Sequence, residues 1–212
     1  MSRVLPILFN TEMVQSILDG RKTVTRRVIK RQIDVCPSCK HMNVDYIYDE
    51  IAQNIYCASC GNPFDPVQKP PYQLGDILYV RETWTYHEGA INGIIYKARC
   101  PGKLAKVKKW RPSIHMPKEA ARIWLKVTDV RVERLQEISE YQIIAEGTPY
   151  DKENYAQWKR GDVITHNAET YLRKCYRDLW NSAIKKSDLD RYGWAANPWV
   201  WVIEFERCGK PD

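Results

Sequence analysis

Seven cysteines occur in the 212 residues, and four of them stand at ligand spacing. "CPSC" supplies Cys36 and Cys39, and "CASCG" supplies Cys57 and Cys60. Residues 40 to 56 separate the two pairs, which is the spacing of a two-knuckle zinc site. Each C-x-x-C turn aims two sulfurs at one point, and two such turns complete a tetrahedron around Zn²⁺. Gly61 suits a tight knuckle turn. Rubredoxin-like iron is the main rival metal. A disulfide requires an oxidising compartment, and a redox motif requires only one such pair. A closed four-thiolate site has no open position, so the expected Zn²⁺ is structural. Cys100, Cys175 and Cys208 lack partners at ligand spacing and read as ordinary thiols.

A second stretch with chemical content is "GRKTVTRR", Gly20 to Arg27. It holds Arg21, Lys22, Arg26 and Arg27 beside Thr23 and Thr25. Three readings fit it: a solvated turn, a grip on an anion, or half of a catalytic site. "KLAKVKKWR" places Lys103, Lys106, Lys108, Lys109 and Arg111 around Trp110, an arrangement suited to a phosphate backbone with a base stacked on the indole. Glu82 in "VRETW" falls on one face with Val80 and Trp84 by alternation; a carboxylate there needs a partner, and an arginine ion pair is the simplest one. Asn197 precedes Pro198 and either reads a base edge or closes a turn, while His115 reads as structural.

The formal charge is +7 and the sequence pI about 9.0. A zinc ion held by four thiolates removes two of those charges and leaves the chain basic. That balance suggests an anionic partner, with nucleic acid the commonest. Eight tryptophans and thirteen tyrosines supply material for a core and for stacking on bases. No apolar run reaches the roughly 18 residues of a membrane span, and "MSRVLPILFN" is too short in apolar residues for a signal peptide. A cytoplasmic location and no membrane association are the expectation. Nothing in the sequence points to a particular protein partner.

The elements that must position these residues follow from periodicity. "VLPILFN" predicts a strand, and "TEMVQSILDG" a short helix capped by Thr11, with Gly20 at its C-terminus. "VTRRVIK" predicts a second strand, so "GRKTVTRR" lies across a helix-to-strand turn. Residues 32–70 form the zinc module. A strand is expected from Ile77 to Trp84, another in "GIIYKA", and a long one in "ARIWLKVTDVRVERL". "ISEYQIIAEG" has helical spacing with Ser139 as cap. A polar stretch follows from Thr148. "ETYLRKCYRDLWNSAI" is the strongest helix, its apolar face read as Tyr171, Leu172, Cys175, Leu179 and Ile184. "NPWVWVIEFER" closes as a strand with Trp199, Trp201, Ile203 and Phe205 on one face. Several strands with few helices give an α+β class, mainly β. No G-x-G-x-x-G, Walker or G-x-S-x-G motif occurs.

A helix followed by G-x-K-x-x-x-x-R (Gly20, Lys22, Arg27) and then a strand resembles the ASCH family, a branch of the PUA-like β-barrels. "GDILYVRETW" resembles that family's next strand. "WRPSIHMP", "VRVERLQEIS" and "NPWVWVIEFER" resemble a phage and prophage subset. The resemblance implies a PUA-like barrel with flanking helices over residues 1–31 and 71–212, with an inserted zinc ribbon at 32–70. It implies recognition of RNA or of modified nucleosides. One ASCH group hydrolyses N4-acetylcytidine with a lysine, a threonine and a glutamate, which match Lys22, Thr25 and Glu146. Those enzymes are about half this length and lack the zinc module. Other members are linked to ribonuclease activity, and a non-catalytic RNA-binding module is the third alternative. Arg21, Arg26, Arg27, Glu82, Lys108, Lys109, Trp110 and Asn197 are then candidates for contact with substrate or nucleic acid. Lys22 and Thr25 are three apart and would face opposite sides of a straight strand, so the turn after Gly20 must bend the chain.

Overall fold

The structure is a computed structural model, and it describes residues 2–64, 69–90, 92–100, 107, 109–160 and 170–211. The strands in chain order are β1 (Val4–Leu8), β2 (Val24–Val28), β3 (Tyr46–Asp49), β4 (Asn54–Cys57), β5 (Ile77–Arg81), β6 (Trp84–Tyr86), β7 (Ile94–Tyr96), β8 (Trp124–Arg134) and β9 (Trp199–Cys208). The helices are α1 (Thr11–Leu18), α2 (Glu140–Ala145), α3 (Lys152–Arg160), α4 (Tyr171–Ala183) and α5 (Leu189–Tyr192). The class is α+β, mainly β. The chain divides into two compact units.

The first unit contains residues 1–23, 74–128 and 205–212. β1 runs parallel to β5, with Val4 opposite Ile77 and Leu8 opposite Arg81. β5 runs antiparallel to the start of β8, with Leu78 opposite Leu125. The alternate residues Leu78 and Val80 are fully buried with Ile7, Val14, Ile17, Leu125 and Val127. Helix α1 is capped by Asn10, not by Thr11: the Asn10 side-chain oxygen accepts from the Met13 amide at 2.8 Å, one residue earlier than the sequence suggested. The expected strand from Ile77 to Trp84 is broken at Glu82. There the backbone changes partners: Arg81 donates its side chain to the Met116 carbonyl, and Trp84 exchanges backbone hydrogen bonds with Arg111. β6 then pairs with β7 in a separate hairpin, with Trp84 opposite Tyr96.

The second unit contains residues 24–73 and 129–204. β2 runs antiparallel to β9, with Val24 opposite Glu204 and Val28 opposite Val200. Here β9 lies between β2 and the later part of β8. Helix α2 begins at Ser139, whose hydroxyl and Gln142 form the reciprocal capping box the sequence signalled. The buried face of α4 is Leu172, Tyr176 and Trp180, not the five residues expected. Spacing of four lets two aromatic rings and a leucine reach Val24, Leu135, Ile138, Ile143, Val200 and Val202. The expected one-sided β9 is buried on both faces from Trp199 to Ile203, because its alternate residues Val200 and Val202 face that helical layer. The polar stretch after Thr148 contains helix α3. Asp151 caps it by accepting from the Asn154 amide, and Tyr155 and Trp158 stack along it.

Candidate functional site

The four cysteines come together through two knuckles built alike. In the first, the Cys36 amide donates to the His41 carbonyl and the Lys40 amide to the Cys36 carbonyl. In the second, Cys57 and Asn62 repeat the first bond, and Gly61 and Cys57 the other. The residue after each pair takes a left-handed conformation, φ 62° at Lys40 and 70° at Gly61. Glycine adopts this freely; Lys40 is held there with its ammonium on the Pro37 carbonyl at 2.7 Å. β3 and β4 pair antiparallel and set Tyr46 opposite Cys57.

The result is four sulfurs all within 4.8 Å of one another, with Cys36–Cys60 at 3.8 Å and Cys39–Cys57 at 3.9 Å. Metal–sulfur bonds of about 2.3 Å in a tetrahedron place sulfurs roughly 3.8 Å apart, so the donor set fits a tetrahedral ion. The Cys39 backbone N–H, directed at the Cys36 sulfur, pulls that thiol down to about 6 and favours the thiolate a metal needs. The group can hold a metal ion. The module rests on β9 through aromatic contacts: Tyr46 stacks on Trp199 at 4.4 Å and 7°, and Tyr48 meets Trp201 edge-on at 5.1 Å. Gln32 clamps the Trp199 backbone, accepting from its N–H at 2.7 Å and donating to its carbonyl at 3.1 Å.

The "GRKTVTRR" stretch begins in the first unit as the expected helix exit. Gly20 takes φ 73°, and the amides of Arg21 and Lys22 both donate to the Ser16 carbonyl, at 2.9 and 3.0 Å. This tight return separates two neighbours sharply. Arg21 stays exposed beside Asp19, whereas Lys22 is 2 % exposed with its ammonium 5.4 Å from the centre of the Phe9 ring. The unit boundary falls between Thr23 and Val24, so the remaining residues belong to the second unit.

There Thr25 is 4 % exposed and sits opposite Ile203 on β9. Arg26, its neighbour on β2, has a fully buried side chain that donates to Glu133 at 2.9 Å and to Glu146 at 3.3 Å. Arg26 is therefore the centre of a buried ion cluster. The cluster continues through Glu133 to Arg131 at 2.6 Å and on to Glu204 at 2.6 Å, with Asp129 also on Arg131. Burial alone would push the Glu133 carboxyl up, but the Arg131 and Arg26 guanidiniums outweigh it and hold it below the ordinary range. Burial, reinforced by the Glu146 carboxylate, drives the Tyr176 hydroxyl well above its ordinary value. Arg26 Nε and Thr148 Oγ1 are sealed from solvent and find no hydrogen-bond partner among the described residues. Such ends are normally completed by a water or a ligand.

The other candidates have structural surroundings. Glu82 is 1 % exposed, and Arg122 donates to both its oxygens at 2.8 Å while stacking on Tyr96 at 4.2 Å. Asn197 takes φ 45°, and its side-chain oxygen accepts from the Gln136 amide at 2.8 Å, which closes the turn into β9. Arg27 is half-buried opposite Trp201. Lys109 is exposed and Trp110 half-buried; Lys108, with Lys103 and Lys106, lies outside the described residues. His115 is exposed. Glu133, Arg131 and Tyr176 were not singled out by the sequence, since each reads there as an unremarkable strand or helix residue. Their distance from Arg26 along the chain leaves no local signal.

No family model matches the chain, and no curated protein matches it. Among solved structures it is similar to an ASCH domain from Lactobacillus crispatus JV V101, at 11 % identity over 97 % of this chain and 79 % of that one, with a TM-score of 0.36. That likeness is too distant to carry an argument. No helix among the described residues is long and apolar enough to cross a membrane.

Proposed function

We propose that the chain is an ASCH-type protein of the phage and prophage kind. It recognises RNA or a modified nucleoside, and its chemistry is amide hydrolysis on N4-acetylcytidine-like substrates. The observation that carries this reading is burial. Lys22, Thr25 and Glu146, the three residues matched to the family's catalytic trio, are 2 %, 4 % and 4 % exposed. Chains rarely enclose a lysine and a glutamate unless pairing or function holds them there. In the reaction, water adds across the amide: the C–N bond breaks, acetate leaves, and the amine of cytidine is freed. Thr25 attacks or orients the water, Lys22 handles its proton, and Glu146 serves the departing amine. Arg26 acts as a positioning residue by fixing one Glu146 oxygen.

In the same reading the cysteine group holds Zn²⁺ as a structural ion, and residues 32–70 are an insertion into a barrel made by 1–31 and 71–212. The setting is the reducing cytoplasm, where four thiols stay available to a metal. The test is deacylation of N4-acetylcytidine by zinc-loaded wild type, followed by Lys22→Ala, Thr25→Ala and Glu146→Ala. Loss of at least about 100-fold in rate with little change in binding is the expected result for an acid or base. No turnover by folded wild type removes the reaction and leaves RNA binding without catalysis.

A further inference from the structure

A cavity of about 490 Å³ opens in the second unit where the zinc module leaves and rejoins the chain. Arg27 on β2 lines it, followed by Lys30 and Arg31 on the outgoing segment and Lys69 and Tyr72 on the returning one. Trp201 of β9 completes it as the register partner of Arg27, its ring braced by the edge of Tyr48 from the zinc hairpin.

Four cations share this one concavity, and no carboxylate lines it among the described residues. The whole chain carries 26 acidic residues, so their exclusion from the lining is a local feature. Like charges around a common hollow repel one another, and the concavity concentrates their field on whatever enters. A multiply charged anion relieves that repulsion. The remaining wall is apolar and aromatic, which a bare phosphate would leave unused. The size lies within the roughly 300–1,000 Å³ of small-molecule sites.

We infer that this cavity binds a nucleoside phosphate, with the phosphate among Lys30, Arg31 and Lys69 and the base against Tyr72 and the apolar wall. The inference requires no catalysis at Lys22, Thr25 or Glu146. It also gives the insertion a second consequence: the zinc hairpin sets the two segments that supply the cations and braces Trp201.

The test is calorimetry on the full, zinc-loaded chain at low salt, with adenosine 5′-monophosphate, adenosine and a short single-stranded oligoadenylate. Adenine keeps the probe apart from the cytidine chemistry proposed above. The monophosphate should bind at least about ten-fold more tightly than the nucleoside, because charge-assisted contacts to phosphate dominate. Lys30→Ala combined with Lys69→Ala should remove that preference without moving the thermal midpoint, since both side chains are exposed. Tyr72→Ala should weaken the monophosphate while leaving inorganic phosphate unchanged. Tighter, steeply salt-dependent binding of the oligonucleotide assigns the cavity to a strand, and equal affinity assigns it to a free nucleotide. Equal binding of adenosine and its monophosphate, absence of binding by both phosphorylated probes, or wild-type affinity in the double lysine variant would overturn the inference.

Discussion

Arg26 donates to Glu146 across 120 positions of sequence, Nη1 to Oε1 at 3.3 Å, with side-chain exposures of 0 % and 6 %. The pair ties β2 to the end of α2 within one unit. Removing one partner strands the other charge away from water. Arg26→Ala should therefore cost about 3–5 kcal/mol, read from the urea midpoint. Glu146→Gln, which keeps a hydrogen-bonding oxygen, should cost distinctly less. Equal effects of the two substitutions would show that packing, not charge, dominates here.

The acid limb of stability should report the same cluster. Glu133 is held below its ordinary value, so its contribution is fully present above the unfolded-state value of about 4.3 and fades as pH falls through the lower folded value. Glu133→Gln should lower stability at neutral pH and flatten the decline between about pH 4 and 2. At the other extreme, the buried Tyr176 resists ionisation while the unfolded chain ionises, so stability should drop above about pH 10. Tyr176→Phe should remove that part of the decline.

Metal content is the simplest measurement. Elemental analysis should give about one zinc per chain, the complement of one closed tetrahedral site. Chelation should release the hairpin of β3 and β4 and, with it, the Tyr46–Trp199 stack. Tryptophan fluorescence and near-ultraviolet dichroism would then change while the far-ultraviolet helix signal stays. An unaltered tryptophan environment after complete metal removal would show that the module holds its place by packing alone.

The two knuckles differ at one equivalent position. Lys40 and Gly61 both adopt left-handed backbone, which costs a side-chain-bearing residue about 1–2 kcal/mol. Gly61→Ala should speed zinc loss to a chelator. Lys40→Gly should slow it, provided the gain exceeds the loss of the exposed Lys40–Pro37 contact. Faster loss in the Lys40 variant would mean that this contact governs the first knuckle.

RNA affinity should fall steeply with salt as phosphate counterions are released. Lys108→Ala with Lys109→Ala should flatten that dependence if "KLAKVKKWR" tracks a strand. Undetectable RNA binding at low salt would remove the nucleic-acid reading.

Much of this was legible in the residues themselves. C-x-x-C spacing is a local geometric code, because a knuckle closes within six residues and aims its own sulfurs. The Ser139 cap and the glycine exit of α1 are equally local, as each satisfies backbone groups a few positions away. The same holds for the main strands, whose β-branched and aromatic runs announce themselves. Local pattern failed where a partner elsewhere in the chain decided the outcome. The strand from Ile77 stopped at Arg81 because Met116 and Arg111 take over the backbone's partners. The face of α4 was set by the layer it meets, which selected Tyr176 and Trp180 over Leu179. Arg26 read as one more positive charge in a basic stretch; only folding brought Glu133 and Glu146 to it. The cavity beside Trp201 likewise draws its cations from both ends of an insertion. Sequence determines what a segment can do alone, since caps, turns and knuckles are closed by neighbours. Tertiary structure decides which charges are buried and which are shared, because that depends on distances no local spacing encodes.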